Sequence, residues 1–140
     1  MTPDVNVLVA ASRTDHPHHT AAHAWLQSVV SSQSLTLLPT VVASFLRLVT
    51  HPKVFAEPTP IDAALAFVEA LRPAASPAGS RTCDEWPQLK DLCQRHQLRA
   101  NDLPDAWIAA QVLARGLTLV TFDRDFVKLL PAERLTLLPV

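Results

Sequence analysis

Glycine and tyrosine are what this sequence largely does without. Two glycines and no tyrosine stand against twelve prolines in 140 residues, which predicts compact helical material punctuated by proline. An excess of one charge is missing too. The formal net charge is −1, which excludes a strongly basic nucleic-acid binder while leaving room for a local basic groove. No apolar run approaches the length of a membrane span, and the start lacks the charged stretch and apolar core of a signal peptide. The expected location is therefore the cytoplasm, with no membrane partner. The two cysteines, Cys83 and Cys93, are ten residues apart and in no ligand pattern with histidine; they read as reduced and structural. There is no internal repeat and no low-complexity tract. At 49% hydrophobic, residues 1–140 are expected to form one domain with a sizeable core.

What is present centres on Asn101 to Phe126, NDLPDAWIAAQVLARGLTLVTFDRDF. Asp102, Pro104 and Asp105 suit a helix entry, where capping oxygens, proline and negative charge all belong. Ala106, Ala109, Ala110, Leu113 and Ala114 keep one side small and apolar, and Arg115 and Gly116 make a stop. Leu117 to Phe122 then reads as a short buried strand of a parallel sheet. Asp123 and Asp125 follow its end, where ligands bind in open α/β sheets.

Elsewhere the pattern predicts helices over His18–Val30 (Ala22, Trp25, Leu26 and Val29 inward), Thr40–Thr50 (capped by Thr40), Ile61–Leu71 (Leu65, Val68 and Leu71 inward) and Glu85–Gln97. Leu35–Leu38 reads as a strand ended by Pro39, Pro73–Ser80 as a loop and Leu135–Leu138 as a last strand. Val5 to Ala11 is apolar almost throughout, and pattern alone leaves strand and helix both open. Helices alternating with short apolar strands define an α/β class with a mainly parallel sheet.

Five acids bear on function: Asp4, Asp102, Asp105, Asp123 and Asp125. If the strand before Asp123 pairs beside the segment at Asp4, their carboxylates converge at one sheet edge. Crowded carboxylates repel, and a hard divalent cation relieves that repulsion. Magnesium or manganese held this way activates water and stabilises charge on a phosphate, which is the chemistry of phosphodiester cleavage. Three of these acids also have a plain alternative. Asp102 is simply read as a helix cap, and Asp123 and Asp125 as turn residues; Asp4 alone has no ordinary structural task. His16, His18, His19 and His23 invite a zinc reading, but no cysteine or carboxylate completes a known spacing, so a solvent-facing helix start is expected. Trp25 and Trp107 are expected to pack rather than stack on bases. Arg47, His51, Lys53, Arg124 and Lys128 read as solvated charge. Were Arg47, Lys53 and Arg124 to line the acidic pocket, they would offset its field for a phosphate strand.

Aspartate in DVNVLVAA, then FLRLVTHPKVF, NDLPDAWIAA and TLVTFDRDF, taken in that order, resemble the PIN-domain ribonucleases of VapC-type toxin–antitoxin systems. The resemblance spans Asp4 to Phe126, and its last two motifs are the most specific. It implies a three-layer α/β/α PIN fold, with Val7 to Ala11 helical after a very short strand. It further implies Asp4, Asp105 and Asp123 as ligands of one or two Mg2+ ions, with Mn2+ an alternative, and Asp125 as a further catalytic acid. The implied activity is endoribonuclease cleavage of RNA by metal-activated water. The implied partners are a cognate VapB-like antitoxin and a second copy in a homodimer. The chain departs from the pattern at Ser44, where many members carry a glutamate. That puts more weight on Asp102, one turn before Asp105; Asp102, Ser44, Arg47 and Arg124 are expected as accessory residues of the site. The competing expectation is a catalytically impaired PIN domain that binds RNA or protein. A phosphoryl-accepting receiver domain ranks last, because no mid-chain aspartate or suitably placed lysine supports it.

Overall fold

The computed structural model describes residues 1–140, the side chain of Ser80 excepted. Five short strands alternate with six helices: β1 (Thr2–Pro3), α1 (Val5–Ser12), α2 (His19–Ser31), β2 (Leu35–Thr36), α3 (Pro39–Val49), α4 (Ile61–Leu71), β3 (Ala75–Ser76), α5 (Trp86–His96), α6 (Asp102–Arg115), β4 (Leu119–Thr121) and β5 (Leu135–Leu137). Every strand pairing is parallel. Thr2 lies opposite Leu119 and Pro3 opposite Val120; Leu119, Val120 and Thr121 lie opposite Leu135, Thr136 and Leu137. Leu35 and Thr36 pair with Ala75 and Ser76. The two ladders are stitched at β1, where Thr36 N donates to Met1 O at 2.8 Å and the Met1 ammonium donates to Ser34 O at 2.7 Å. Helix α1 packs on α2 and α3, α3 on α4, and α5 on α6. The sheet between these two sets completes a three-layer α/β/α domain.

Helix α1 settles the ambiguity at the N-terminus. Asp4 ends β1 and takes the cap position, and Val7 through Ala11 are buried without interruption. A helix enclosed on all sides has no polar face, so its sequence carries no amphipathic period. The core it joins is built around Leu8, Phe45, Val112, Leu119 and Phe126, all essentially inaccessible to solvent.

Several local expectations are corrected. Pro39 does not close a strand. β2 stops at Thr36, and Pro39 opens α3, where its missing N–H costs nothing. Thr40 is not the cap of α3; Leu38 stands there, and the Thr40 hydroxyl instead accepts from Gln111 Nε2 at 3.0 Å. Leu65 is 43% exposed, while Ala64 and Leu71 take the inward face of α4. The stretch Pro73–Ser80 holds β3, which two residues of no strand character form only because β2 offers its edge. Trp107 is 41% exposed rather than packed.

The two glycines do different work. Gly116 ends α6 at φ +64°, where a Cβ would meet only the Arg134 guanidinium at an ordinary contact distance of 4.0 Å. Gly79 follows β3 in a short 3-10 turn, and a Cβ there would come within 2.1 Å of the Leu37 carbonyl oxygen. Gly116→Ala should cost about 1 kcal/mol through the left-handed backbone alone. Gly79→Ala should cost more, about 2–3 kcal/mol, because backbone must move. Urea unfolding midpoints check the order; a Gly79 variant as stable as the Gly116 variant would contradict the close β2–β3 approach.

Candidate active site

Pairing β1 with β4 brings residue 4 beside residue 121, although 117 positions separate them in the chain. Asp4 N donates to Val120 O at 2.8 Å, which extends the ladder past β1. The Asp4 carboxylate, 5% exposed, accepts from Val5 N at 2.7 Å through Oδ1 and from the Thr121 hydroxyl at 2.7 Å through Oδ2. Thr121 Oγ1 in turn accepts from Asn6 Nδ2 at 3.0 Å and from Asp123 N at 3.0 Å. Asn6 Oδ1 also accepts from Phe122 N at 3.3 Å. One buried hydroxyl therefore joins the start of α1 to the exit of β4 and aims Asp4 and Asp123 toward the same space. A carboxylate with one bond on each oxygen still has lone pairs to offer.

Helix α6 brings the third acid. Asp105 lies in its first turn, where the positive end of the helix dipole favours negative charge. Asp4, Asp105 and Asp123 line one cleft of about 380 Å³, together with Asn6, His16, Ser44 and Arg47. Three other grooves are larger: two apolar ones, about 500 Å³ beside α3 and α4 and about 520 Å³ beside α2 and α4, have no carboxylate, and in one of about 460 Å³ beside α5 the single acid, Asp91, is paired with Arg95. The acids in the cleft feel one another. Burial pushes the Asp105 carboxyl up to about 6, and the charges of Asp4, Asp123 and Asp125 add to the push while Lys128 opposes it. Burial also raises Asp4, against the hydrogen bonds from Thr121 and Val5, with Asp123 adding repulsion.

The other candidates fall outside this set or on its rim. Asp125 is exposed; its N–H donates to Asp123 Oδ1 at 2.8 Å, and its carboxylate acts on Asp105 through charge rather than by lining the cleft. Arg124 is exposed and does not line it. Asp102 is diverted: its carboxylate accepts from Arg99 N at 3.2 Å, which secures the turn before α6. Asn101, not Asp102, stands at the cap position. Ser44 and Arg47, one turn apart on α3, both face the cleft. His16 departs from the expectation of a solvent-facing histidine cluster: it is half-buried and part of the cleft wall. Burial and the neighbouring His18 hold its pKa below the usual histidine value. Asn6 and Thr121 were the residues that pattern did not single out. Their only signal was a place two positions from an acid, on an element whose orientation pairing alone decides.

Asp4, Asp105 and Asp123 are the side chains available to a divalent cation. They line the cleft without closing on a point: among the described residues, no group of three histidine, cysteine, aspartate or glutamate side chains is arranged to hold a metal ion. Among the described residues, no helix is long and apolar enough to cross a membrane.

A three-layer domain whose parallel strands deliver separate acids to one cleft is what the PIN family is built on, and the PIN-domain profile matches residues 1–129. The chain belongs to the PIN-domain family. It is similar to ribonuclease VapC31 of Mycobacterium tuberculosis, 36% identical over 130 residues covering 89% of each chain. Ribonuclease VapC25 of the same organism matches equally, 36% identical over 130 residues and 89% of each chain. Ribonuclease VapC43 is 35% identical over 129 residues, 89% of this chain and 86% of its own.

The raised Asp105 value sets a pH signature. The folded protein holds this proton more tightly than the unfolded chain, whose aspartates titrate near 3.8. Metal-free stability should therefore rise as pH falls through about 6 toward about 4, and the penalty should be complete above that window. Asp105→Asn, with no proton to bind, should lose this gain. Thermal melts in chelator at about pH 7 and about pH 5 check it; a parent–variant difference that does not change with pH would refute the shared field of the acids.

Proposed function

We propose that this chain is a Mg2+-dependent endoribonuclease, the toxin of a type II, VapBC-like toxin–antitoxin pair, acting in the cytoplasm. The carrying observation is the arrival of Asp4, Asp105 and Asp123 at one cleft, in a chain similar over most of its length to proteins named VapC ribonucleases. Magnesium, or manganese in its place, fits this donor set because it keeps several waters and needs only one or two direct carboxylates. Bound there, the ion would supply an activated water and neutralise charge on the scissile phosphate.

The chain's own residues supply orientation and field. Val5 N–H and the Thr121 hydroxyl hold Asp4 in one rotamer, so it meets the cation with little ordering cost. Asp123 is steadied by the Asp125 N–H bonded to its own Oδ1. Without metal the Asp105 carboxyl is pushed up to about 6, and a cation beside it would favour its ionised form. Arg47 sets a fixed positive charge in the wall and offsets the negative field that would otherwise repel an RNA backbone. A VapB-like antitoxin and a homodimer belong to this reading through the resemblance to VapC-type toxins.

A second reading has a specific observation behind it. Ser44 puts a neutral side chain in the cleft wall, and the three acids are not pre-gathered around one point. Both favour an impaired PIN domain that binds RNA or protein without cutting it.

Cleavage of labelled structured RNA with and without Mg2+ or Mn2+ separates the two. The parent should cut only with metal. Asp4→Asn and Asp105→Asn should each lower the rate roughly a hundredfold, about 2.7 kcal/mol of barrier, with far-UV circular dichroism unchanged. Cleavage by both variants at the parent's rate would overturn the assignment. Ser44→Glu should lower the Mg2+ concentration at which the reaction saturates, since the new carboxylate would face the acids; an unchanged Mg2+ dependence would deny that position any part in metal binding.

A further inference from the structure

The cleft wall contains a histidine that the proposed chemistry does not use. His16 sits in the turn between α1 and α2, and that turn is fastened throughout. Its N–H donates to Arg13 O at 3.1 Å, and its carbonyl accepts from His19 N at 3.0 Å. Arg13 is buried, held by bonds from Nε and Nη2 to Asp15 at 3.1 and 2.8 Å and by further bonds to Thr59 Oγ1 and Glu57 O at 3.1 Å each. His18, two residues on, stacks on Phe122 with ring centroids 4.9 Å apart, tying the turn to the exit of β4 next to Asp123. The imidazole of His16 is therefore presented by a rigid support.

One contact fixes its chemistry. His16 Nδ1 accepts a hydrogen bond from His18 N at 3.1 Å. A nitrogen that accepts cannot carry the proton, so the ring is neutral and its hydrogen lies on Nε2. Nε2 makes no hydrogen bond to the protein among the described residues. His16 lines the same cleft as Asp4, Asp105 and Asp123, whose ionised oxygens only accept, and Arg47 is the single Lys or Arg among the residues lining that wall. A phosphodiester strand entering the cleft would need donors opposite its oxygens, and a neutral N–H supplies one without competing for the carboxylates.

We infer that His16 is a substrate-binding residue: its Nε2–H donates to a non-bridging phosphate oxygen of an RNA strand lying in the acidic cleft. This rests on the RNA-binding part of the reading above. His18 and His19 have no such role. His18 is engaged with Phe122, and His19 Nδ1 lies 2.9 Å from Ala10 O.

Two substitutions separate a ligand contact from a purely structural turn. His16→Asn keeps an acceptor near the place of Nδ1 and loses the distal donor. His16→Gln keeps a distal amide donor and gives up the near acceptor. Binding of a short fluorescein-labelled RNA is followed by anisotropy in Mg2+, on an Asp4→Asn background so that the probe stays intact; asparagine caps a helix as well as aspartate does. Loss of a hydrogen bond to a charged acceptor corresponds to roughly a tenfold weaker Kd. The asparagine variant should show that loss, and the glutamine variant should stay within about threefold of the background. The opposite order, with a lowered Tm for glutamine, would assign His16 to the turn alone and overturn the inference. So would equal binding by both variants and the background. Cleavage by the protein with Asp4 and His16 intact decides the nuclease reading separately. No cleavage with the predicted binding split sinks that reading and leaves the contact standing; cleavage without the split sinks the contact only. Absence of any RNA binding overturns both.

Discussion

The hydrogen bond from the Thr121 hydroxyl to Asp4 is the joint on which the site turns. It forms between the last residue of β4 and the residue that ends β1, where parallel pairing has already put the two strands side by side. The same oxygen receives Asn6 and the Asp123 amide. A buried hydroxyl with all its hydrogen-bonding capacity used is stiff, and so are the groups it holds. Removing it would leave a buried carboxylate short of a partner, an outcome that costs about 1–3 kcal/mol in general.

Around that joint the fold accumulates like charge at the point where it can best be tolerated. Asp4 stands at the N-terminus of α1 and Asp105 in the first turn of α6, so two helix dipoles point their positive ends toward the acids. That relief is partial. Asp105 is still pushed up to about 6, and three neighbouring carboxylates contribute to the push. Stability conceded at a cluster of acids is a familiar mark of a site adapted to a cation or to proton transfer. The arrangement at α6 differs from that at α1: Asp4 is locked by two bonds, whereas among the described residues no hydrogen bond is made to the Asp105 carboxylate.

Much of this was legible in the chain, and the parts that were not share a cause. The helix entry at Asp102–Asp105, the stop at Gly116 and the strand before Asp123 carry local signals of composition and spacing, and they stand where those signals put them. The family resemblance also covered α1, which periodicity could not decide because the helix is buried on every side. Features that depend on a distant partner left no local trace. β3 exists because β2 is beside it. Thr40 serves Gln111 instead of its own helix, and Asp102 turns back to Arg99 instead of reaching the cleft. His16 looked like a loop residue before a proline; only the way the α1–α2 turn folds against β4 puts it in the wall beside the acids.

On the proposed reading, Asp4, Asp105 and Asp123 together would hold a divalent cation in the cleft they line. Anomalous diffraction from crystals soaked in Mn2+ tests it most directly. The account predicts one strong anomalous peak, or two adjacent ones, within the cleft, bound to at least one of these carboxylates, with water completing the shell. A peak bound elsewhere on the chain, with none between these three side chains, would contradict it.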